Sequence, residues 1–357
     1  MKQSIVFRVD SSAQIGGGHL MRCLTLAEML KKEAKITFVC RDLPGNTAFL
    51  AESRGFDLKL MPFHGESPAL GGYEKWLTIP PDMDAAETQE AVREKAACLV
   101  VDHYALGLEW ERKLRPYTEK IIVIDDLADK PHDCDILTNQ SFEPELSQKY
   151  DGLTPAGCRK FLGREYALLR EEFYLARKSL RRRTGELRNV LIFFGGGDYG
   201  GETGKVLLAL ESAPGLTANV VVGGGNERKD EIERLCASLP WAKFHCQIDY
   251  MAALANEADL AIGAGGLAAV ERCFLGLPSL IVSVADNQEA GGKMFAALGF
   301  AEYLGNSSDV AALAWREAVL RYKREPGRLL RMSQAALNVS RTIGSGARLF
   351  KKAVLHA

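Results

Sequence analysis

The sequence has almost no net charge and no long apolar run, and these two absences exclude two classes of partner. Its 45 lysines and arginines are balanced by 46 aspartates and glutamates, which leaves a net charge of −1. Because nucleic acids attract proteins that carry an excess of basic residues, we expect no nucleic-acid partner. No apolar stretch approaches the roughly 18 residues of a membrane span, and the chain enters a strand at Ser4 without a signal-peptide pattern. We therefore expect a cytoplasmic protein without membrane insertion, and a monomer.

Closely spaced cysteines are lacking as well. Disulfide frameworks and many metal sites are built from cysteines at short, regular spacings such as C-x-x-C, and no such pair occurs here. The sequence therefore predicts reduced, buried thiols. The eight cysteines are scattered, mostly inside apolar runs, at Cys23, Cys40, Cys98, Cys134, Cys158, Cys236, Cys246 and Cys273.

Two common phosphate-loop fingerprints are incomplete. In the stretch IGGGHLM, Gly16 and Gly18 fit the dinucleotide pattern G-x-G-x-x-G, but its third glycine is replaced by Met21, which is too large for close helix–strand packing. In the stretch GGETGKV, the pattern G-x-x-x-x-G-K-[ST] ends on Val206 instead of serine or threonine. Both NAD binding and ATPase activity are therefore disfavoured.

What the sequence does have is a regular alternation of short apolar runs with helical patterns. This alternation predicts an α/β protein with two tandem, doubly wound parallel sheets. We predict a Rossmann-like domain, a charged linker helix, a second Rossmann-like domain and a helical C-terminal tail, at 1–166, 167–188, 189–304 and 305–357. Ligands bind such sheets beyond the carboxyl ends of the strands, so the loops that follow strands would point into a cleft between the two domains.

The glycine-rich loop after the first strand carries a histidine. Gly17 and Gly18 let the backbone turn tightly and approach a ligand. His19 then lies in the first turn of a helix, where the positive end of the helix dipole disfavours the imidazolium form. A neutral imidazole at pH 7 is what a general base needs, so we predict catalysis by His19. The alternative is a hydrogen bond from His19 that only holds the loop.

A second polar cluster ends a later strand. In VVDHY (100–104), Asp102 and Tyr104 emerge at the same edge of the sheet as His19. An aspartate here can orient a histidine, and a tyrosine can hold water or a phosphate. The alternative for Asp102 is that it caps the next helix, and the sequence alone does not decide between the two.

The second half of the chain repeats the pattern of strand, glycine turn and helix twice. The turns contain Gly196 with Gly197 and Gly265 with Gly266, and backbone N–H groups at such helix starts bind phosphate without a metal. Glu271, further along the second of these helices, can accept both hydroxyls of a ribose. The alternative for Glu271 is a solvated helix residue.

Two polar stretches remain to be assigned. Asn287 and Gln288 follow the last strand, where their amides can hold a phosphate or a sugar hydroxyl, or where Asp286 or Asn287 simply caps a helix. The stretch DMD (82–84) looks like a metal-binding motif, but it follows two prolines rather than a strand, which favours a helix cap.

Taken together, these residues resemble a known family. The stretches RVDSSAQIGGGHLMRCLTLA, VVDHY, IDD, HDCDILTNQ, REYALLREEF and ERCFLGLP with the following NQ are similar to the UDP-sugar hydrolases of pseudaminic acid biosynthesis. These enzymes release UDP from UDP-2,4-diacetamido-2,4,6-trideoxy-β-L-altropyranose. The match covers about residues 4–300. The family has the two-domain GT-B fold, which it shares with the N-acetylglucosaminyltransferase of peptidoglycan synthesis.

The resemblance implies an inverting hydrolysis of a UDP-sugar by water, with no metal and no cofactor. It implies that His19 activates the water, that Tyr104 and Asn287 line the site with Asp102, and that Glu271 holds the uridine ribose. The remaining predicted substrate-binding positions, from the glycine turns and the matching motifs together, are Arg8, Asp10, Gly17, Gly18, Gly196, Gly197, Gly265, Gly266 and Gln288. Two other functions stay open: a glycosyltransferase that uses a UDP-sugar donor, and a sugar-nucleotide-binding protein without catalysis.

Overall fold

The structure is a computed structural model that describes residues 2–65, 69–92, 94–211 and 213–356. The chain divides into two compact units. The first unit contains the residues up to Leu168 together with those from Gly344 onward, and the second unit contains Leu169–Ile343. Each unit is built around its own parallel sheet.

The first unit holds a seven-stranded sheet in the order β3-β2-β1-β4-β5-β6-β7, in which every paired strand is parallel. Its strands are apolar on both faces because helices cover both: Ile5 and Phe7 pack into one layer and Val6 into the other. The strands are β1 (Gln3–Val9), β2 (Ala34–Arg41), β3 (Asp57–Met61), β4 (Ala96–Asp102), β5 (Thr118–Ile124), β6 (Ile136–Asn139) and β7 (Arg159–Leu162). The helices between them are α1 (Gly18–Leu30), α2 (Phe49–Glu52), α3 (Pro81–Val92), α4 (Leu108–Leu114) and α5 (Leu146–Lys149).

The second unit holds a six-stranded parallel sheet in the order β10-β9-β8-β11-β12-β13. Its strands are β8 (Asn189–Phe193), β9 (Thr217–Val222), β10 (Ala242–Cys246), β11 (Leu260–Ala264), β12 (Ser279–Ser283) and β13 (Ala301–Asn306). Its helices are α6 (Glu171–Arg177), α7 (Glu202–Leu210), α8 (Lys229–Ser238), α9 (Met251–Glu257), α10 (Leu267–Phe274), α11 (Glu289–Ala297), α12 (Ala312–Arg324) and α13 (Pro326–Val339). The prediction of two doubly wound parallel sheets is therefore confirmed.

Strand order reverses at one place in each sheet, between β1 and β4 in the first unit and between β8 and β11 in the second. Such switch points open a crevice at the carboxyl ends of the two central strands, where ligands bind in α/β folds. In the second unit β8 and β11 approach so closely that a Cβ on Gly263 would lie 1.9 Å from the carbonyl oxygen of Phe193. Glycine is therefore required at this position.

The segment 167–188, expected to be a linker helix, differs from that expectation. Over 167–188 the only helix is α6, and residues from Leu169 onward cluster with the second unit. The segment 178–188 continues without helix to β8. Within it Arg183 is buried and donates to the carbonyl oxygens of Ala255 and Leu275.

The C-terminal segment is helical and serves both units. Trp315 and Tyr322 on α12 belong to the core of the second unit. The last helix, α14 (Ala347–Leu355), instead packs Phe350 and Val354 into the core of the first unit. Among the helices in the described ranges, none is both long and apolar enough to span a bilayer.

Candidate functional site

His19 and Asp102 meet at the switch point of the first sheet. His19 is the second residue of α1, which follows β1, and Asp102 is the last residue of β4. Because β1 and β4 are adjacent, with Val9 in register with Asp102, the two side chains lie at the same edge. The Nδ1 atom of His19 is 2.6 Å from an oxygen of Asp102. The structure thus brings together two residues that are 83 positions apart in the chain.

The Asp102 carboxylate is fully buried and held in its ionised form. Arg22 donates to both of its oxygens, from Nε and Nη2, at 2.9 Å. Burial alone would raise the pKa of Asp102, but the positive charge of Arg22 and the hydrogen bonds from Arg22 and His19 outweigh it and hold that pKa below its usual range. An ionised carboxylate can only accept hydrogen bonds, so Nδ1 of His19 must carry a proton. In a neutral imidazole, Nε2 is then the atom that is free to take a proton.

Arg22 also connects this pair to Tyr104. Its guanidinium donates to both oxygens of Asp126 at 2.9 and 2.8 Å, and the Tyr104 hydroxyl donates to Asp126 at 2.8 Å. The Tyr104 ring packs edge-on against His19, with ring centroids 4.5 Å apart. A continuous polar network therefore runs from His19 through Asp102, Arg22 and Asp126 to Tyr104. Arg22 and Asp126 are members of the site that were not expected from the sequence, although each lies within a stretch that carries the family resemblance.

An aromatic cluster, Tyr73, Trp76 and Tyr104, stands beside His19. Trp76 stacks on Tyr104 with ring centroids 5.3 Å apart, and Tyr73 contacts both rings edge-on at 4.9 and 5.1 Å. Tyr73 and Trp76 come from a short 3-10 helix, Gly72–Trp76, in the segment between β3 and α3. Aromatic rings provide apolar faces next to a polar base. Neither residue was expected at the site from the sequence, because this segment has no helical or strand periodicity.

Arg8 and Asp10 lie beneath the site rather than at its surface. Both residues are fully buried, and Arg8 donates to Asp10 at 2.7 Å. Arg8 also donates to Asp84 at 2.6 Å, and Arg41 donates to the same Asp84 oxygen at 2.7 Å. Arg8 and Asp10 are therefore members of a buried ion network, and their contact with a substrate stays a prediction. Asp84, expected to cap a helix, is instead an anion of that network, with Trp110 donating to its second oxygen at 3.0 Å.

The glycine turn before His19 leaves its backbone accessible. Gly17 is the N-cap residue of α1, and among the described residues no side chain caps this helix end. A Cβ on Gly18 would meet nothing within 4 Å, so neither a steric contact nor the backbone conformation requires glycine at this position. Only Gly16, with φ of +75°, adopts a conformation that favours glycine. The open space at Gly18 is compatible with a ligand close to the backbone.

The two glycine turns of the second unit are not equivalent. At the first, the Asp198 carboxylate accepts from the backbone N–H groups of Glu202 and Thr203 at 2.9 and 2.8 Å. These amides at the start of α7 are thus occupied by an internal anion, and phosphate binding at Gly196 and Gly197 stays a prediction.

The second turn, at Gly265 and Gly266, lacks such an internal anion. Among the described residues, no side chain caps the start of α10. Gln288 lies against this turn, since a Cβ on Gly266 would be 3.4 Å from its Nε2 atom. Asn287, its neighbour, is an exposed residue of the 3-10 helix Asp286–Gln288. The structure therefore gathers Gly265, Gly266 and Gln288 at the carboxyl end of β11.

Glu271 is not a solvated helix residue. It is 6% exposed, and its carboxylate is held by Nε and Nη2 of Arg170 at 2.8 and 3.0 Å. Arg170 also pairs with Glu172 at 2.7 Å. The bidentate pair fixes the orientation of the Glu271 carboxylate on α10. Glu271 was expected at the site from the sequence, but its arginine partner, which lies 101 positions earlier, was not.

The chain is similar in sequence to two bacterial proteins. It is 28% identical over 303 residues to the UDP-2,4-diacetamido-2,4,6-trideoxy-beta-L-altropyranose hydrolase of Campylobacter jejuni, covering 83% of this chain and 97% of that protein. It is 27% identical over 304 residues to the spore coat polysaccharide biosynthesis protein SpsG of Bacillus subtilis, covering 83% of this chain and 82% of that protein. No protein-family model matches the chain.

Solved structures agree on the fold. The crystal structure of MurG from Acinetobacter baumannii superimposes with a TM-score of 0.60 at 15% identity, over 99% of this chain and all of that one. This likeness, together with the two parallel sheets, shows the GT-B fold. The resemblance to a UDP-sugar hydrolase that the sequence motifs indicated is confirmed by the similarity to the Campylobacter protein.

Proposed function

We propose that this protein is a UDP-sugar hydrolase in which His19 is the general base. Nε2 of His19 removes a proton from water as the water attacks the anomeric carbon, and UDP departs with inversion. The observation that carries the proposal is the 2.6 Å contact between His19 and the buried Asp102 carboxylate. This contact fixes the tautomer and stabilises the imidazolium that forms as the proton moves. One base is sufficient because UDP is a good leaving group, so a second carboxylate of the glycosidase kind is not needed.

The second unit supplies the nucleotide site in this proposal. The uncapped N–H groups at the start of α10, next to Gly265 and Gly266, stabilise the charge that develops on the departing diphosphate. Gln288 donates from its amide to the same group, and Asn287 contacts the sugar. Glu271 accepts the ribose hydroxyls with the oxygen lone pairs that Arg170 leaves unused. No step in this mechanism requires a metal ion.

The proposed substrate is a UDP-linked 2,4-diacetamido-2,4,6-trideoxy sugar, and the pathway is nonulosonic acid biosynthesis. The support is the similarity to the Campylobacter hydrolase and the aromatic cluster beside His19. Such a sugar exposes a C6 methyl group and two acetyl methyl groups. These apolar groups match the ring faces of Tyr73 and Trp76 better than the hydroxyls of an ordinary hexose do.

A glycosyltransferase is the second candidate. A histidine oriented by a buried aspartate deprotonates a sugar or lipid hydroxyl as readily as it deprotonates water. The two functions differ in whether turnover needs an acceptor, and this difference supplies the test.

The purified protein, incubated with the UDP-linked diacetamido-trideoxy sugar and no acceptor, should release UDP. In ¹⁸O-labelled water the label should enter the free sugar and not the UDP. Label in UDP would mean attack at phosphorus and would exclude the mechanism proposed here. Turnover only after addition of an acceptor would establish the transferase, and binding of several UDP-sugars without turnover would establish a non-catalytic protein.

The role of Glu271 has its own test. Glu271→Gln should weaken UDP binding by about tenfold, because a hydrogen bond to a charged group contributes about 1.5–3 kcal/mol. The same substitution should weaken the binding of 2′-deoxyuridine diphosphate much less, because this nucleotide lacks one of the two hydroxyls that Glu271 would accept. Both dissociation constants can be measured by isothermal titration calorimetry. Equal losses for the two nucleotides would show that the substitution disturbs α10 through the Arg170 pair and not through the ribose.

A further inference from the structure

Two cysteines of the first unit are in direct contact at the end of the sheet away from His19. All eight cysteines are free thiols; six are buried, Cys158 is half-buried, and Cys246 is exposed, contrary to the expectation that all are buried. The Sγ atoms of Cys134 and Cys158 are 3.6 Å apart. Cys134 lies two residues before β6, and Cys158 immediately precedes β7. These are the amino ends of two parallel strands, whereas His19 and Asp102 lie at the carboxyl edge.

The backbone around the two thiols is held in place by the sheet. β6 and β7 are paired, with Ile136 in register with Arg159, and the Arg159 N–H donates to the Asp135 carbonyl at 2.9 Å. A disulfide needs an S–S distance of about 2.05 Å, so the sulfur atoms must approach by about 1.5 Å. Rotation of two cysteine side chains about their Cα–Cβ bonds supplies a movement of this size without displacing the strands.

The environments of the two thiols differ. Cys134 is 2% exposed within an apolar cluster, whereas Cys158 is open to solvent on one side. The hydrogen bond from Cys134 lowers the pKa of the Cys158 thiol against the opposing effect of burial, and Lys160 acts in the same direction. The same hydrogen bond, together with burial, raises the pKa of Cys134. Cys158 is therefore the thiol that reacts first with an external oxidant, and Cys134 is the thiol that follows.

We propose that Cys134 and Cys158 form a reversible thiol–disulfide site. With a low-molecular-weight disulfide such as oxidised glutathione, the Cys158 thiolate attacks one sulfur and releases one glutathione thiol, leaving a mixed disulfide. Cys134 loses its proton and attacks Cys158 Sγ, which breaks the mixed bond and releases the second glutathione thiol. Two protein thiols are oxidised and one glutathione disulfide is reduced, so atoms and electrons balance. The proposal does not depend on the proposed function.

Closing this bond links the two ends of the segment 134–158. The segment includes Tyr150, whose hydroxyl donates to the Asp125 carboxylate at 2.7 Å. Asp125 is adjacent in sequence to Asp126, which belongs to the polar network around Arg22. The crosslink therefore closes a segment that supports this network. Because a crosslink reduces the conformational freedom of the unfolded chain, oxidation should raise the melting temperature of the protein.

The test is to incubate the intact protein with oxidised glutathione, alkylate the remaining thiols, and map the peptides by mass spectrometry. We expect a peptide that joins Cys134 to Cys158, with the loss of two hydrogens and no retained glutathione, and its reversal by dithiothreitol. The exposed Cys246 is the internal control: the described residues place no second thiol against it, so it should retain one glutathione. A stable glutathione adduct on Cys158, or no reaction there while Cys246 reacts, would overturn the proposal.

Two single variants separate the roles of the thiols. Cys134→Ser should trap glutathione on Cys158, because the resolving thiol is missing. Cys158→Ser should leave Cys134 unmodified under the same conditions. A glutathione adduct on Cys134 in the Cys158→Ser protein would contradict the assigned order of reaction. The wild-type measurement stands without either variant, should one of them fail to fold.

Discussion

Replacing His19 with asparagine should lower kcat by about 10²–10⁴-fold, the usual contribution of a general base, while the dissociation constant for UDP stays nearly unchanged. Asparagine can still donate an amide hydrogen to Asp102, so the buried carboxylate keeps a partner. What the variant lacks is a basic nitrogen that accepts the proton of the attacking water. The measurement is steady-state UDP release, with UDP binding followed in parallel by calorimetry.

The matched control for this variant is His64→Asn. His64 is another histidine of the first unit, is partly exposed, and pairs with Glu87 at 2.6 Å rather than with Asp102. We expect its kcat to remain close to that of the wild-type protein. Full activity in the His19 variant would show that His19 is not the general base. A parallel loss of UDP affinity would show that His19 contributes to binding and not specifically to proton transfer.

Asp102 should not set the acid limit of activity. Its pKa lies below the usual range because Arg22 and His19 outweigh the effect of burial, so it stays ionised throughout mildly acidic conditions. A group whose charge does not change cannot produce a change in rate over that pH range. Asp102 therefore acts as a fixed negative charge behind the imidazole.

Much of the site is visible in the sequence because parallel sheets obey simple rules. The carboxyl ends of β1 and β4 carry a glycine loop with His19 and the stretch containing Asp102. Once a doubly wound sheet is inferred, residues that follow two of its strands are expected at one edge. The contact between His19 and Asp102 agrees with that reasoning. The second unit follows the same logic at Gly265 and Gly266.

The parts that could not be predicted depend on long-range pairing of charges. Arg22 lies on α1 at a position that reads as one more polar residue of an amphipathic helix, yet it bridges Asp102 and Asp126. Which carboxylate meets which guanidinium follows from the packing of elements that are some 80 to 100 residues apart. Helical periodicity carries no information about such partners.

At two further places the local sequence motif does not reveal which internal groups its residues contact. Gly196 and Gly197 have the composition of a phosphate loop, but Asp198 beside them occupies the amides at the start of α7. Arg8 and Asp10 lie at the end of β1 in a stretch that resembles a family motif, yet both are fully buried. In each case the structure shows an internal ion or hydrogen-bonding partner that the motif alone does not reveal. Contact of these residues with a substrate stays a prediction.

Asp84 is the residue of this supporting layer whose loss should destabilise the protein most. It is fully buried and accepts from Arg8, Arg41 and Trp110 at 2.6 to 3.0 Å. Asp84→Asn keeps the shape of the side chain but removes the negative charge that two buried guanidinium groups share. Breaking a buried ion pair in this way costs about 3–5 kcal/mol, so we expect the free energy of unfolding at pH 7 to fall by about 3 kcal/mol in urea titrations.

Acid pH should remove this difference. Burial alone would raise the pKa of Asp84, but Arg8 and Arg41 hold it below its ordinary value. A carboxyl with a lowered pKa in the folded state stabilises the fold above its unfolded pKa of about 3.9, and this stabilisation is lost as the pH falls through the folded-state pKa. The free energies of unfolding of the wild-type and Asp84→Asn proteins should therefore differ most above pH 5, and the difference should shrink progressively below about pH 4.

The control for this experiment lies on the same helix. Asp82 is 73% exposed and pairs with Lys113 at the surface, so Asp82→Asn should change the free energy of unfolding by less than about 1 kcal/mol at any pH. A gap between wild type and Asp84→Asn that stayed constant from pH 7 to pH 3 would show that the loss arises from packing or from the altered hydrogen bonds. Convergence in acid would show that the charge of Asp84 is what holds Arg8 and Arg41 in the interior beneath His19.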